Sequence, residues 1–396
     1  MNRNKNTVQG FKASSTAVGL KKDNNLDLAL IYSEKEATAA GVFTTNKVKA
    51  APVILTREHI QKGKARAIIA NAGCANACTG SAGLNDSRKT ADIVAKQLGV
   101  RPDDILVAST GVIGKPLDMN AIERAIPGLV GAVSQEGIPQ AAEAIMTTDS
   151  FPKISHFDGQ CRGRPYRILG IAKGAGMIMP DMATMLSFIM SDIRIDSADL
   201  KDVLLSSIET TLNRITIDGD TSTNDMVLVM ANGMAGNEAL SEKDYRGFTN
   251  GLTSVLDELA HLIVRDGEGA TKLVNIKIKH AHSAADALNA ARTVANSSLV
   301  KTAFYGQDPN WGRIMGALGR AEIMMKEEKV DIWIDDVRIV EGGIGKGVEA
   351  EKRAAEKMAE KEFKLTIDLQ QGDQQDEIIT CDLTHNYITI NADYRT

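Results

Sequence analysis

Short apolar runs punctuated by glycine, asparagine and lysine recur along almost the whole 396-residue chain, with amphipathic helical patterns between them. DLALIYS (27–33), AAGVFTT (39–45), ARAIIANAG (65–73), DILVAST (104–110), RPYRILGIAKG (164–174) and DMVLVMANG (225–233) read as strands. Helices are expected at 84–98, where Asn85-Asp86 can cap and Gly99 ends the pattern, and at 134–147, 199–215 and 242–267. TKLVNIKIKHA (271–281) alternates as a half-buried strand does, and a helix at 283–297 follows it. The remainder reads as strands at 329–340, 363–369, 376–383 and 386–391, with a charged helix at 349–362. Runs of this kind are buried when a sheet is covered by helices, so the expected fold class is α/β (α+β).

A net charge of −5 contains no basic excess, which argues against a nucleic-acid partner. Aromatic residues make up only 4% of the chain while glycine and methionine are abundant, so the core packs with small and flexible side chains. Cys74 and Cys78 are four residues apart, and Cys161 and Cys381 stand alone; no zinc or disulfide spacing is present, and reduced thiols are expected. The start, MNRNKNTVQGFKASS, lacks the apolar core of a secretory signal, and no run reaches the ~18 apolar residues of a membrane span. A cytoplasmic protein is the expectation, with no membrane partner.

Two glycine- or acid-rich stretches invite functional readings and fail them. EGGIGKGVEA (341–350) has Gly347 where a phosphate loop needs Ser or Thr after its lysine, so it reads as a turn into a helix. DGDTSTND (218–225) alternates as a calcium loop does, but Thr223 stands where glycine is needed and the bidentate glutamate is missing. His280 and His282 share a strand face without further ligands, and no other histidine has an acid or nucleophile beside it in sequence.

KGAGMIMPDMATML (173–186) poses a sharper question, because an apolar stretch carries a threonine after a small residue. A hydroxyl is a weak nucleophile until a base takes its proton. Cutting the chain between Ala183 and Thr184 would supply that base as the freed α-amine, whose ordinary pKa is near ~8. Ala183 leaves the carbonyl accessible and Pro180 stiffens the approach. Taken alone, an Ala-Thr pair before an apolar run is also compatible with an ordinary core segment.

The segment resembles the self-cleavage site of the ornithine acetyltransferase family, the glutamate N-acetyltransferases of arginine biosynthesis. STGVIGKPLDM (109–119), AIMTTDSFPK (144–153), NRITIDGDTSTND (213–225), VRDGEGATK (264–272), DPNWGRI (308–314) and INADYRT (390–396) look like further blocks of that family in its order, and together they cover nearly the whole chain. Ala175, Met179 and Asp181 depart from the usual Ser, Ala and Asn, and Cys74 stands where Asn is usual.

The resemblance implies a core of two stacked sheets between helical layers (1–280), cut into chains 1–183 and 184–396, with a C-terminal α/β domain over 281–396. It implies acetyl transfer from N-acetylornithine to glutamate through an acetyl-threonine, in two half-reactions. Thr184 would be the nucleophile, Thr110 and Gly111 the oxyanion hole, and Thr147, Lys173, Thr184, Glu268, Asn391 and Thr396 the substrate contacts. Lys173 suits a substrate carboxylate and Glu268 a side-chain ammonium, although read singly they are a strand-end charge and a helix-terminal acid. Asn391 and Thr396 would close the pocket from a C-terminal strand. No metal or organic cofactor is implied, acetyl-coenzyme A is an alternative donor in part of the family, and the assembly is α₂β₂. Two rival readings are a self-cleaving threonine amidohydrolase or aminopeptidase, and an amino-acid-binding protein that never cuts itself.

Overall fold

A computed structural model describes residues 5–22, 24–179 and 185–393; Ala183, Thr184 and Thr396 lie outside the described residues. Eight strands make the first sheet: β1 (Phe11–Thr16), β2 (Leu28–Phe43), β3 (Lys64–Cys74), β4 (Ile105–Val112), β5 (Lys153–Cys161), β6 (Arg164–Lys173), β7 (Leu186–Ser191) and β8 (Met226–Ala231). Their order is β4-β3-β2-β8-β7-β6-β5, with β1 paired to β2. Pairing is antiparallel except at β3–β4 and β7–β8.

The sixteen-residue β2 serves two halves of this sheet. Its first part, Leu28–Tyr32, pairs with Asn71–Ala67 of β3, and its last part, Thr38–Phe43, pairs with Ala231–Met226 of β8. The register shifts between Tyr32 and Ala37, and the halves fold face to face there. Ile31, Ile68, Ala70, Leu106 and Ala108 from one half meet Leu169, Ile171, Phe188, Leu228 and Met230 from the other in a single apolar cluster.

Helices cover the two outer faces. On one side lie α1 (Ala51–His59), α2 (Gly80–Leu98) and α3 (Met119–Gly131), with Leu55, Val94, Ile122 and Ile126 over Leu28, Leu30, Ile69 and Val107. A short α4 (Ile138–Ala144) seals the middle layer. On the other side α5 (Ser197–Glu209) and α6 (Glu242–Arg265) place Leu200, Val203, Phe248, Val255 and Leu259 against Ile168, Ile189, Val227 and Val229. Strands covered on both faces have no solvent side, which explains their nearly unbroken apolar runs. The layering agrees with the expected α/β class.

A six-stranded sheet follows, built from β9 (Leu273–Ala281), β10 (Asp331–Ile334), β11 (Val337–Glu341), β12 (Ile344–Gly345), β13 (Glu362–Asp368) and β14 (Gln374–Cys381), in the order β12-β11-β10-β13-β9-β14. With it pack α7 (Ala284–Ala295), α8 (Ser298–Tyr305), α9 (Trp311–Gly319) and α10 (Val348–Met358). The boundary expected at 280/281 falls at the end of β9, the strand between β13 and β14.

The expectation of a strand at 386–391 is overturned: His385–Asp393 is a helix, α11. Its Ile, Tyr and Thr residues favour strands, but none of its residues is buried. The Thr384 hydroxyl accepts from the Tyr387 N–H at 3.4 Å at its start. The expected helix at 134–147 is shorter, and the single strand expected at 329–340 is a hairpin that reverses at Asp335-Asp336, with Asp335 left-handed at φ 48°. All four cysteines are free, and no cluster of three or more metal-type ligands occurs among the described residues. No described helix is long and apolar enough to cross a membrane.

Candidate active site

At the end of the first sheet, where its two halves part, a cavity of about 210 Å³ opens. Thr110, Gly111, Thr147, Lys173, Met185, Asp218, Asp225, Glu268, Tyr387 and Asn391 are among its lining residues. Every sequence-predicted site residue within the described part of the chain, namely Thr110, Gly111, Thr147, Lys173, Glu268 and Asn391, is therefore here. Met185, bonded directly to Thr184, lines the same cavity.

Thr110 and Gly111 close β4 against β3. Gly111 has φ 124°, and a Cβ there would meet the Gly73 carbonyl carbon at 2.4 Å, so glycine alone fits. Ser109 Oγ donates to Asn71 Oδ1 at 2.6 Å, and Asn224 Nδ2 donates to the carbonyls of Ala75 (2.6 Å) and Ser109 (2.8 Å). These bonds tie the turn to the loop before β8, so the Thr110 hydroxyl and the adjacent backbone are held by both halves of the sheet.

Lys173 ends β6, buried, and its Nζ donates to Thr110 Oγ1 at 3.3 Å. Burial pulls its pKa down, while the charges of Asp149, Asp225 and Glu268 oppose that. Behind it lies a fully buried ionic cluster: Lys153 Nζ donates to Asp149 Oδ1 at 2.7 Å and to Asp266 Oδ2 at 2.6 Å. Asp149 also accepts from the backbone N–H of Thr147 (2.9 Å) and of Gly174 (2.7 Å). Burial raises the Asp149 pKa, but Lys173, Lys153 and the Thr147 N–H outweigh it and bring it down to about 2. Asp149 thus sets the positions of Thr147 and of the strand end carrying Lys173.

The two flanks of the segment 180–184 are gripped. Upstream, Met177 is left-handed at φ 55°, and its N–H and that of Ile178 donate to Asp218 at 2.6 and 2.9 Å. Thr221 Oγ1 donates to the Met179 carbonyl at 3.1 Å. Downstream, the Met226 N–H donates to the Met185 carbonyl at 2.9 Å, and Leu186 begins β7. A left-handed non-glycine residue costs free energy and persists where its surroundings hold it, a common property of functional segments.

Glu268 faces the cavity from beyond α6. Its N–H donates to the Ala175 carbonyl at 2.8 Å, and a Cβ on Gly176 would strike its carboxyl at 2.4 Å. From α11, Asn391 Nδ2 donates to Glu268 Oε2 at 2.7 Å and Tyr387 OH donates to Asp218 Oδ2 at 3.2 Å. The i, i+4 spacing on a helix aims both side chains at the cavity. Burial and the neighbouring Asp218 push the Tyr387 hydroxyl well above its usual range.

Sequence reasoning missed Asp149, Asp218, Asn224, Asp225 and Tyr387. The stretch DGDTSTND, dismissed as a calcium loop, supplies six of the lining residues. Its signal was acids and hydroxyls crowded directly before a buried strand, where solvent exposure alone would not require them.

Residues 12–396 match the ArgJ family. The arginine biosynthesis bifunctional protein ArgJ of Geobacter sulfurreducens is 50% identical over 391 residues, 98% of this chain and 100% of that protein. The glutamate N-acetyltransferase of Methanocaldococcus jannaschii is 44% identical over 399 residues, 98% of this chain and 97% of that one. A solved structure of the ArgJ protein of Bacillus halodurans is 40% identical, with a TM-score of 0.51, over 53% of this chain and the whole of the solved one. A match of this length and identity makes the chain a member of the ArgJ family.

Proposed function

We propose that this chain is a glutamate N-acetyltransferase of arginine biosynthesis, which takes the acetyl group of N2-acetylornithine and delivers it to glutamate. The observation that carries the reading is the single cavity shared by Thr110, Gly111, Lys173, Glu268 and Asn391 with Met185, the residue after Thr184. The chain first cuts itself between Ala183 and Thr184. The freed amine of Thr184 then takes the hydroxyl proton as the hydroxyl oxygen bonds to the acetyl carbon. Thr110 Oγ1 and the Gly111 N–H hold the oxyanion. The carbon–nitrogen bond breaks, the proton passes to the departing ornithine amine, and acetyl-Thr184 remains. Glutamate's amine attacks that ester in the second half, and its proton returns to the Thr184 oxygen.

Lys173 suits the substrate carboxylate, Glu268 the ornithine ammonium, and Thr147, Asn391 and Thr396 the remaining polar contacts. Relatives named bifunctional support acetyl-coenzyme A as a second donor to the same threonine. A solved chain matched along its whole length by just over half of this one supports separate halves in the family. An α₂β₂ assembly of cut chains in the cytoplasm completes the reading.

Intact mass spectrometry of the wild type beside Thr184→Ala tests it. Two fragments joining at Ala183–Thr184, and one uncut variant chain, are expected. One uncut chain in both would remove the mechanism at its first step. Acetyl-enzyme that decays equally fast with and without glutamate would instead mean an amidohydrolase.

A further inference from the structure

α11 buries none of its residues, so packing of the core does not explain where it sits. A helix of nine residues also has little stability of its own in water, and its contacts decide its place. Thr384 Oγ1, just before it, donates to the Gly269 carbonyl at 2.8 Å. Gly269 is left-handed at φ 68°, and a Cβ there would meet the Tyr387 nitrogen at 2.7 Å, so helix and loop touch backbone to backbone. His385 adds a ring contact with Tyr305.

From that seat the helix reaches two acids that share a second set of partners. Tyr387 OH donates to Asp218 Oδ2 at 3.2 Å, and Asn391 Nδ2 donates to Glu268 Oε2 at 2.7 Å. Both acids hold residues 175–178. The Asp218 carboxylate accepts from the N–H groups of Met177 and Ile178 at 2.6 and 2.9 Å. Glu268 donates its own N–H to the Ala175 carbonyl, and its carboxyl lies so close to Gly176 that no Cβ fits between them. Met177 is held left-handed at φ 55°, which is unfavourable for a residue with a side chain. A strained turn is thus gripped by two carboxylates, and each carboxylate is braced by one side chain of α11. Substrate contact accounts for Asn391 on Glu268 but not for Tyr387 on Asp218, which binds the backbone of the turn.

The turn ends five residues before Ala183. In self-cleavage the Thr184 oxygen adds to the Ala183 carbonyl carbon, the carbon–nitrogen bond breaks, and the hydroxyl proton passes to the departing nitrogen. Water then splits the ester into the Ala183 carboxylate and the Thr184 hydroxyl, and the proton released goes to the new amine. Such a step depends on placement: an error of about 1 Å can cost ~10²-fold in rate.

We propose that α11 is part of the self-cleavage apparatus, with Tyr387 and Asn391 as positioning residues that brace Asp218 and Glu268 on residues 175–178 and so set the approach to the Ala183–Thr184 bond. The inference rests on the cut at that bond.

The test follows full-length chains made by cell-free translation with a labelled amino acid, with the uncut fraction read over time after translation is stopped. The double variant Tyr387→Phe/Asn391→Ala is expected to cut about 10-fold more slowly than the wild type, and Asp218→Asn about 10- to 100-fold, the range for hydrogen bonds to a charged group. Ile388→Ala, at a side chain on the same helix that is 63% exposed, cuts at the wild-type rate. Self-cleavage consumes no substrate, so a lost substrate contact cannot slow it. In a Thr184→Ala background, where no chain is cut, the double variant keeps its denaturation midpoint because no buried residue is changed. A double variant that cuts as fast as the wild type would overturn the proposal. Slow cutting accompanied by early unfolding would make the bonds merely structural and overturn it too. Wild-type chains that stay whole would instead remove the cut itself, so the two failures are told apart.

Discussion

Lys153 and Lys173 are buried on adjacent strands, and the protein treats them in opposite ways. Lys153 opens β5, opposite Ala172, and two aspartates hold it at 2.6–2.7 Å with no exposed side-chain surface. Lys173 ends β6 one residue further, and among the described residues its one hydrogen bond runs to a hydroxyl at 3.3 Å. A buried charge with its full set of partners is part of the framework, whereas one held by a lone neutral contact is poised for something to arrive. Asp149 joins the two: it takes the Lys153 ammonium and the Gly174 N–H on the same oxygen.

Breaking the first lysine should have the largest effect on folding. Lys153→Ala leaves Asp149 and Asp266 facing each other without their cation, and is expected to cost about 3–5 kcal/mol of unfolding free energy in a denaturant titration. Lys173→Met removes a poorly partnered buried ammonium. It is expected to change stability by less than about 1 kcal/mol, since apolar replacement of such charges is often neutral, while the turnover of N2-acetylornithine is lost. If both variants unfolded equally early, the contrast would be wrong.

Thr110→Ala sharpens the comparison from the other side of the Lys173 contact. It removes the proposed oxyanion donor and is expected to lower kcat by ~10²–10³ with the denaturation midpoint held. A rise in KM with unchanged kcat would make Thr110 a support for Lys173 and nothing more.

The two lysine environments also respond to pH, both gaining stability as it rises but at opposite ends of the scale. Asp149 is depressed to about 2 from an unfolded value near ~3.9, so its stabilisation is complete above ~3.9 and is lost as pH falls toward 2. Lys173 is depressed too, but for a base the unfolded chain holds the proton longer, so stability rises as pH climbs toward ~10.4. Denaturation midpoints across pH should lose the acid limb in Asp149→Asn and the alkaline rise in Lys173→Met. The smallest effect is expected at the rim: Tyr387→Phe removes one neutral-to-charged bond to Asp218 and should raise KM by roughly 2- to 10-fold, read from initial rates.

Where two faces are buried, the chain announced itself. Ile68–Ala70, Leu106–Ala108 and Val227–Met230 are apolar residue after residue because each strand has sheet on one side and helix on the other. α3 was hidden by Pro127 inside it, and α1 by the Pro52 at its first turn, residues that usually break helices or begin them. α11 misled because β-formers on an exposed helix carry no burial pattern to correct their propensity. The cavity residues Thr110, Lys173 and Glu268 were legible as family positions. Asp149 and Asp225 were not, since a buried acid is recognisable only once its long-range partners are folded around it.

The strand order has a consequence for the cut proposed at Ala183–Thr184. Read across the first sheet, β4, β3 and β2 precede the cut, β8 and β7 follow it, and β6 and β5 precede it again. The downstream polypeptide would own only a two-stranded ribbon in this sheet, clamped between edges that belong to the upstream one. Alone, with only α5 and α6 on one side, that ribbon would expose two unpaired edges and the apolar face of Leu186, Phe188, Leu228 and Met230. A cut there would therefore impose a one-way order of events: the precursor would have to finish folding before it was divided, and the halves would stay together as a single body.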